Sequence, residues 1–593
     1  MRRISILSLL LILVLCAYPQ ISVYRAGTPK HEVRAVWLTT IGGIDWPHSY
    51  AQSARSADRQ KQELTRILDS LQEANINTVL LQTRIRGTVI YPSQYEPWDG
   101  CLSGFPGKSP GYDALQFAIE ECHRRGMELH AWIVTLPLGK WNALGCSQLR
   151  KRHKGMVRKI NADGYMNPEK TQTADYLADI CREVAQRYDV DGIHLDYIRY
   201  PETWKRNVTQ EAARQNITRI VRQIHDAVKS IKPWVKMSCS PIGKYDDLSR
   251  YWSHGWNAYN KGAQEAQQWL RDGLMDELFP MMYFRGDQFF PFAIDWQENS
   301  CGRIVAGGLG IYFLDPKEGN WKASDVEQEM YHLRNIGQGH AFFRNKFLLD
   351  NHQGIFDFTA RTFDRYPALV PPMTWQSNRR PASPIHLSIA DNDSMTTLSW
   401  TNVTTYEDGT PITAPYIYNN VYASRTYPVD TEDARNLILV RSNKQRIRWQ
   451  KDDGRPLYFA VTSTDRYGNE SKPTQQDGCT PLEKTQSEGA ARLLETDGEY
   501  VILPPSAVLT DYKYLIIQNQ QKQTVYITDN KKDRIGTHRI GIGFFTVKSV
   551  TSKGIEHTLG YFKKRTEQKN RKKYEKNLVE SNKSSTFALA IQK

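Results

Sequence analysis

Between residue 33 and about residue 370 the chain alternates short apolar, β-branched stretches with longer amphipathic ones, and few folds accommodate that pattern. The strand-like stretches are residues 33–38, 78–82, 128–134, 190–197, 235–239, 278–284, 304–309 and 340–343. Helix patterns such as 58–74, 112–125, 171–187, 210–230 and 323–335 lie between them. This α/β alternation predicts a (β/α)8 TIM barrel with enlarged loops over residues 32–372. A doubly wound open sheet also alternates, but no glycine-rich phosphate loop follows the first strand.

The fourth of these strands is the most informative. Residues 189–201 read D-V-D-G-I-H-L-D-Y-I-R-Y-P, a short buried strand that ends at a Tyr-Pro stop. Side chains on a strand alternate faces, so His194 and Asp196 share one face, and Ile193, Leu195 and Tyr197 share the other. In a parallel barrel the His194 and Asp196 face looks toward the mouth, where such folds keep their chemistry. Asp191 sits lower on the strand and reads as structural.

The flanks suggest export and accessory modules. Arg2 and Arg3 precede an apolar run through Val14, the layout of a secretory signal (1–25) and too short for a membrane span. Cys16 resembles a bacterial lipoprotein site that would attach the chain to a membrane, although Leu15 stands where a small residue is usual. Lipid-anchored and plainly exported forms in the periplasm or envelope both stay open. Pro371-Pro372 and residues 381–384 mark a linker, after which residues 381–475 change to short alternating strands. The Leu-Ser-Trp400 and Asp465-Arg-Tyr-Gly-Asn-Glu-Ser segments resemble a fibronectin type III β-sandwich. Residues 490–562 look like a further small β module. The tail from Lys563 to Lys583 holds nine Lys or Arg and three Glu, so it supplies +6 of the net +14 and is expected to be solvated and disordered. Of eight cysteines, Cys122 and Cys181 read as buried thiols. Cys101 and Cys146, in consecutive long loops, are the one pair expected to form a disulfide.

The loops after the strands gather aromatic residues: Trp46, Trp98, Trp141, and then Tyr251, Trp252, Trp256 and Tyr259. Sugar rings present apolar C–H faces, so a mouth lined by Trp and Tyr suits a glycan. Between Lys140 and Lys159 stand seven Lys or Arg without an acidic residue. At a cleft, that surplus favours an anionic chain by focusing positive potential. Nucleic acid would also answer to cations interleaved with aromatics, but an exported protein meets little of it.

Five motifs, in order, carry a family resemblance: Glu32-Val-Arg-Ala-Val-Trp-Leu-Thr-Thr, Gln82-Thr-Arg84 with Tyr91-Pro-Ser93, Leu129-His-Ala-Trp132, Asp191-Gly-Ile-His-Leu-Asp196 with Tyr200-Pro201, and Ser240-Pro-Ile-Gly243. The chain from residue 32 to about 370 resembles the bacterial glycosyl-hydrolase-like family 10, formerly a domain of unknown function. The resemblance implies a barrel that hydrolyses glycosidic bonds, with bacterial cell-wall glycan as a favoured substrate class. A fainter likeness is to chitinase-type barrels, but Ile198 replaces their catalytic Glu and the sixth strand reads Met281-Met-Tyr283-Phe284. The chitinase mechanism does not carry over.

Glycoside hydrolysis normally uses two carboxyl groups, one to protonate the leaving oxygen and one as nucleophile or base. Asp196 is the expected general acid/base, and Asp45, Asp287 and Asp315, on the loops after the first, sixth and seventh strands of the same face, are candidates for the second catalytic group. An N-acetyl sugar could instead supply its own acetamido oxygen, with Tyr283 orienting it. Trp37, Asp45, Trp46, Arg84, His130, Trp132, His194, Arg199, Tyr283 and Tyr312 are the expected substrate-binding residues. No cofactor is called for, and no histidine and carboxylate spacing argues for a metal. The reading is an exported glycoside hydrolase acting on a peptidoglycan-type or related polysaccharide. The alternative is a glycan-binding barrel without catalysis.

Overall fold

The computed structural model describes residues 28–249, 255–391, 395–414, 416–450, 457–475, 494, 496, 500–503, 512–528, 534–538, 540–551 and 556–564. The expected signal, Cys16, Tyr251, Trp252 and tail residues 565–593 lie outside them.

Eight parallel strands close a barrel: β1 (Arg34–Leu38), β2 (Thr78–Arg84), β3 (Glu128–Val134), β4 (Gly192–Asp196), β5 (Lys236–Cys239), β6 (Glu277–Leu278), β7 (Ile304–Leu309) and β8 (Gly339–Phe342). Each strand is followed by helical chain: α1 (Ala54–Glu73), α2 (Ala114–Arg124), α3 (Thr171–Arg187), α4 (Gln210–Lys229), α5 (Ala266–Arg271), α6 (Phe290–Glu298), α7 (Ala323–Asn335) and α8 (Asn345–Leu349). α1 shows why these segments are helices. Ser53 caps its N-terminus in a capping box, and Leu64, Ile67, Leu68 and Leu71 form the i, i+3, i+4, i+7 stripe buried against the barrel. The sixth strand is shorter than the expected 278–284 because Pro280 has no N–H to give the ladder. Pairing resumes only as isolated bridges of Met281 with Ile242 and Gly308.

Register fixes depth inside the barrel. His130 lies beside Gly192, Trp132 beside His194 and Val134 beside Asp196, so His130 occupies a layer two levels below the mouth. Gly192 is required there, since a Cβ would come within 2.6 Å of the His130 ring. Beyond β3 a small three-stranded sheet, Pro137–Lys140, Val157–Ile160 and Asp163–Met166, rises on the mouth side and carries Lys140, Arg158 and Lys159 of the cationic loop, with Arg150, Lys151 and Arg152 on the helix Leu144–Arg152 between its strands. Cys101 and Cys146 are both buried in the apolar layer as free thiols, so the expected disulfide is not formed.

After the barrel come a three-stranded sheet (Ile385–Asp391, Met395–Thr401, Arg446–Gln450) and a four-stranded antiparallel sheet (Leu437–Ser442, Tyr418–Ser424, Tyr458–Thr464, Thr474–Gln475). They belong with the barrel to one compact unit, Thr28–Cys479. Arg441 reaches from them to the closed end of the barrel, donating to Asp191 at 2.7 Å and lying 3.0 Å from Glu128, with its guanidinium over the Tyr418 ring. Arg466 donates to Asp189 at 2.8 Å, and Lys30 pairs with Glu470 at 2.7 Å. In the other unit, strands Thr524–Thr528, Tyr512–Gln518, Gly543–Thr551 and Glu556–Lys564 form an antiparallel sheet over Leu515, Ile517, Val547 and Phe562.

Burial would push the Asp191 carboxyl up, but Arg441 and His123 outweigh it and hold it well below the usual range. Glu128 is likewise held down to about 2, against burial, by Lys236 and Arg441. Arg441→Ala strips a partner from two buried carboxylates and is expected to cost about 3–5 kcal/mol, seen as a lowered urea midpoint. An unchanged midpoint would show that the cluster is solvated and the contact incidental.

Candidate active site

Asp196 ends β4 at the open end of the barrel and is 9% exposed. Its Oδ1 accepts hydrogen bonds from the Tyr197 backbone N–H at 2.7 Å and Ser240 Oγ at 2.9 Å, and its Oδ2 accepts from Trp132 Nε1 at 3.1 Å. Thr135 ties down the backbone carbonyl of Asp196 through both its N–H and its hydroxyl, each at 2.9 Å. Tyr197 turns into the left-handed region at φ 52°, a costly conformation for a tyrosine that lets its N–H face the carboxylate it follows. The carboxylate is thus held by donors from three chain segments.

Beneath it, Trp37 Nε1 donates to His194 Nε2 at 3.2 Å. An indole N–H can only donate, so neutral His194 carries its proton on Nδ1 and donates it to Ser238 Oγ at 3.0 Å. Burial, helped by His130, pushes the His194 pKa well below its usual value, so the ring stays neutral and positions its neighbours. Trp37 also meets Phe279 and Phe343 edge-on at 5.9 and 5.8 Å, forming an apolar floor.

Tyr283, beyond the irregular end of β6, packs on Phe343 at 5.4 Å and Tyr312 at 5.8 Å. Its hydroxyl is buried and has no hydrogen-bond partner among the described residues. Burial, then the charge of Asp196 and Tyr312, raise its pKa well above the usual phenol value, so it remains a proton-bearing donor. Arg199, three residues beyond Asp196, lies flat on the Tyr197 ring at 3.9 Å and donates to Glu202 at 3.1 Å. Among the expected residues, Trp132 donates to Asp196 and Tyr283 lies within its field, Tyr312 packs on Tyr283, Arg199 lies on Tyr197, and Trp37 and His194 form the layer beneath.

Four others are used elsewhere. Asp45 is 2% exposed and accepts from Thr39, Arg344 and the Lys346 N–H, so it fastens the β1 loop to the β8 loop. Trp46 is fully buried against α1, donating to Gln60 O at 2.9 Å. Arg84 is saturated by Glu96, at 2.9 and 2.7 Å, and by the carbonyls of Val134 and Thr135. His130 lies in the floor, 3.1 Å from Glu128 and 3.8 Å from Glu277. Asp287 is exposed on the turn Gly286–Gln288, and Asp315 accepts from the Lys317 N–H at 3.0 Å, 3.8 Å from His352. Sequence reasoning did not name Ser240 or Ser238 as site residues. The Ser240-Pro motif, placed at the end of the neighbouring strand, was the available signal. The closest set of metal-type ligands among the described residues, Glu32, His340 and Asp364, lies at the closed end and is neutralised by Arg34 and Arg334.

The fold is a (β/α)8 barrel with a carboxylate at the end of its fourth strand. Residues 32–303 match the model of the family described as Glycosyl hydrolase-like 10. Over those residues the barrel is similar to that family, and together with the relatives named glycosyl hydrolases this similarity supports reading the chain as a glycoside hydrolase. It is 26% identical over 487 residues to the glycosyl hydrolase YngK of Bacillus subtilis, covering 75% of this chain and 93% of that protein. It is 28% identical over 299 residues to the glycosyl hydrolase DigH of Escherichia coli K12, covering 43% of this chain and 66% of that protein. The glycoside hydrolase domain of PgaB (BpsB) from Bordetella bronchiseptica superposes with a TM-score of 0.40 at 13% identity, over 55% of this chain and 98% of that domain.

The floor below the site titrates. Glu277 is fully buried, its two oxygens have no hydrogen-bond partner among the described residues, and burial raises its pKa to about 7 against the pull of His130 and Lys236. The folded protein therefore holds a proton that the unfolded chain releases near its ordinary 4.5. This stabilising contribution is complete below that value and is lost as pH rises through about 7. Glu277→Gln mimics the protonated form. It is expected to match wild type at pH 4 and to exceed it by up to about 3 kcal/mol at pH 8, measured by denaturant unfolding.

Proposed function

We propose that the protein is an exported glycosidase that cleaves a peptidoglycan-type glycan or a related polysaccharide, with Asp196 as the general acid/base. The observation that carries this reading is the Asp196 carboxylate at the mouth end of β4, gripped by Ser240, Trp132 and the Tyr197 N–H, with the unpartnered Tyr283 phenol within its field. A fixed carboxyl can exchange a proton with the glycosidic oxygen, and a neutral phenol can hold a sugar oxygen in place. The second carboxyl group is assigned to Asp287 or Asp315 as candidates. Export is supported by Arg2, Arg3 and the apolar run after them. The two-sheet module after the barrel, read as fibronectin type III-like, is given a bracing role through Arg441 and Arg466.

A non-catalytic glycan-binding barrel is the second reading, favoured by one observation: Ile198, where chitinase-type barrels place a Glu, is fully buried and apolar. Release of reducing ends separates the two. Wild type is expected to release them from cell-wall glycan, and Asp196→Asn to lower kcat on the order of 10²–10⁴-fold with its thermal midpoint preserved. Binding without release by wild type would establish the second reading.

The cationic loop supports an anionic substrate. Arg150 lies 4.0 Å and Lys159 5.6 Å over Trp141, and Arg158 stacks on Trp204 at 4.6 Å, so charge and aromatic surface coincide. Hydrolysis of a lactyl-bearing glycan should slow as salt screens exposed charges over about 8 Å at physiological ionic strength. Replacing Arg150, Lys151, Arg152 and Lys154 by Ser should raise KM for that glycan and flatten its salt dependence, leaving a neutral chitin-like oligomer nearly unaffected. Equal losses on both would end the anionic-substrate reading.

A further inference from the structure

Arg199, three residues beyond Asp196, combines burial with incomplete pairing. It is 5% exposed, its guanidinium rests on Tyr197, and one nitrogen donates to Glu202. Its Nε and Nη1 have no hydrogen-bond partner among the described residues. Leaving buried donors of a charged group unpaired is costly, and an outside acceptor that reaches them recovers that cost. The position is fixed from two sides, because Tyr197 is itself locked by its N–H to Asp196 and Tyr165 of the small sheet stands within electrostatic reach of Tyr197 and Glu202. Glu202 is half exposed, and its charge is correspondingly screened, so it orients the guanidinium without cancelling its pull. The next turn of the same loop carries Trp204 under Arg158, which adds a further cation.

We propose that Arg199 reads a carboxylate carried by a sugar next to the bond being cleaved. This rests on the glycosidase reading, and it differs from the exposed loop cations in kind. Those act at a distance and fade with salt, whereas Arg199 would make short, water-excluded hydrogen bonds that persist in salt.

The test compares a lactyl-bearing glycan strand with the same strand after its carboxylates are reduced to alcohols, in high salt so that long-range attraction is screened. Wild type is expected to lose roughly 10- to 100-fold in kcat/KM on the reduced strand, mainly through KM. Arg199→Gln should bring the two substrates to a ratio near one, and Arg199→Lys should restore part of the preference. Equal wild-type values on both strands would overturn the proposal, as would a wild-type ratio retained by Arg199→Gln. Should Arg199→Gln fail to fold, the wild-type and Arg199→Lys ratios decide. If neither strand is cleaved, the glycosidase reading fails. The same ratio, read from dissociation constants by calorimetry, then decides the role of Arg199 independently.

Discussion

Charge buried at the closed end of the barrel must find partners, and that requirement organises the rest of the unit. Asp191 and Glu128 sit where eight strands converge, and each would be intolerable alone in an apolar interior. The barrel supplies His123 and Lys236, but the pairing is completed by Arg441, with Arg466 3.6 Å from Asp191, both from the module that follows the barrel in sequence. A module that resembles an appendage in sequence therefore contributes to the electrostatics of the barrel floor. The consequence reaches the site through β4, because Asp191 precedes that strand and Asp196 ends it. A strand rises about 3.3 Å per residue and is held by ladders on both sides, so pinning its base fixes the height of its tip. The accessory sheets thus help set where the carboxylate stands.

The fold was legible because its signal is local. Period-two and period-3.6 patterns place strands and helices without reference to distant partners, and the seven longer strands lie within a few residues of their expected bounds. The sixth strand departed for a local reason as well, Pro280, which has no N–H for the ladder. Side-chain roles were less legible, since they depend on partners far along the chain. Asp45 looked like a free acid on a mouth loop, yet its partner Arg344 lies 299 residues away. Arg84 looked like a ligand-binding cation, yet Glu96 and the carbonyls of Val134 and Thr135 at the end of β3 saturate it. His130 and His194 are equivalent in sequence pattern, but interstrand register puts one in the floor and the other beneath the carboxylate. Cys101 and Cys146 satisfied a loop argument that said nothing about packing, and each thiol is buried in the apolar layer.

The site's chemistry follows from which of its ionisable groups burial leaves charged. His194 would be the obvious proton carrier at neutral pH in an open cleft. Here desolvation and the indole of Trp37 commit it to one neutral tautomer, with both ring nitrogens occupied. Tyr283 is kept protonated by the same burial, reinforced by the field of Asp196. Neither group can take up or release a proton cheaply within the working range, so each is suited to holding a substrate in place. In the proposed glycosidase, proton exchange would fall to Asp196, the carboxyl group that ends β4 and accepts from the Tyr197 N–H, Ser240 and Trp132. Because Trp132, Ser240 and the Tyr197 N–H come from three separate chain segments, the orientation of that carboxylate depends on the closed barrel as a whole. It cannot be reproduced by the β4 segment alone.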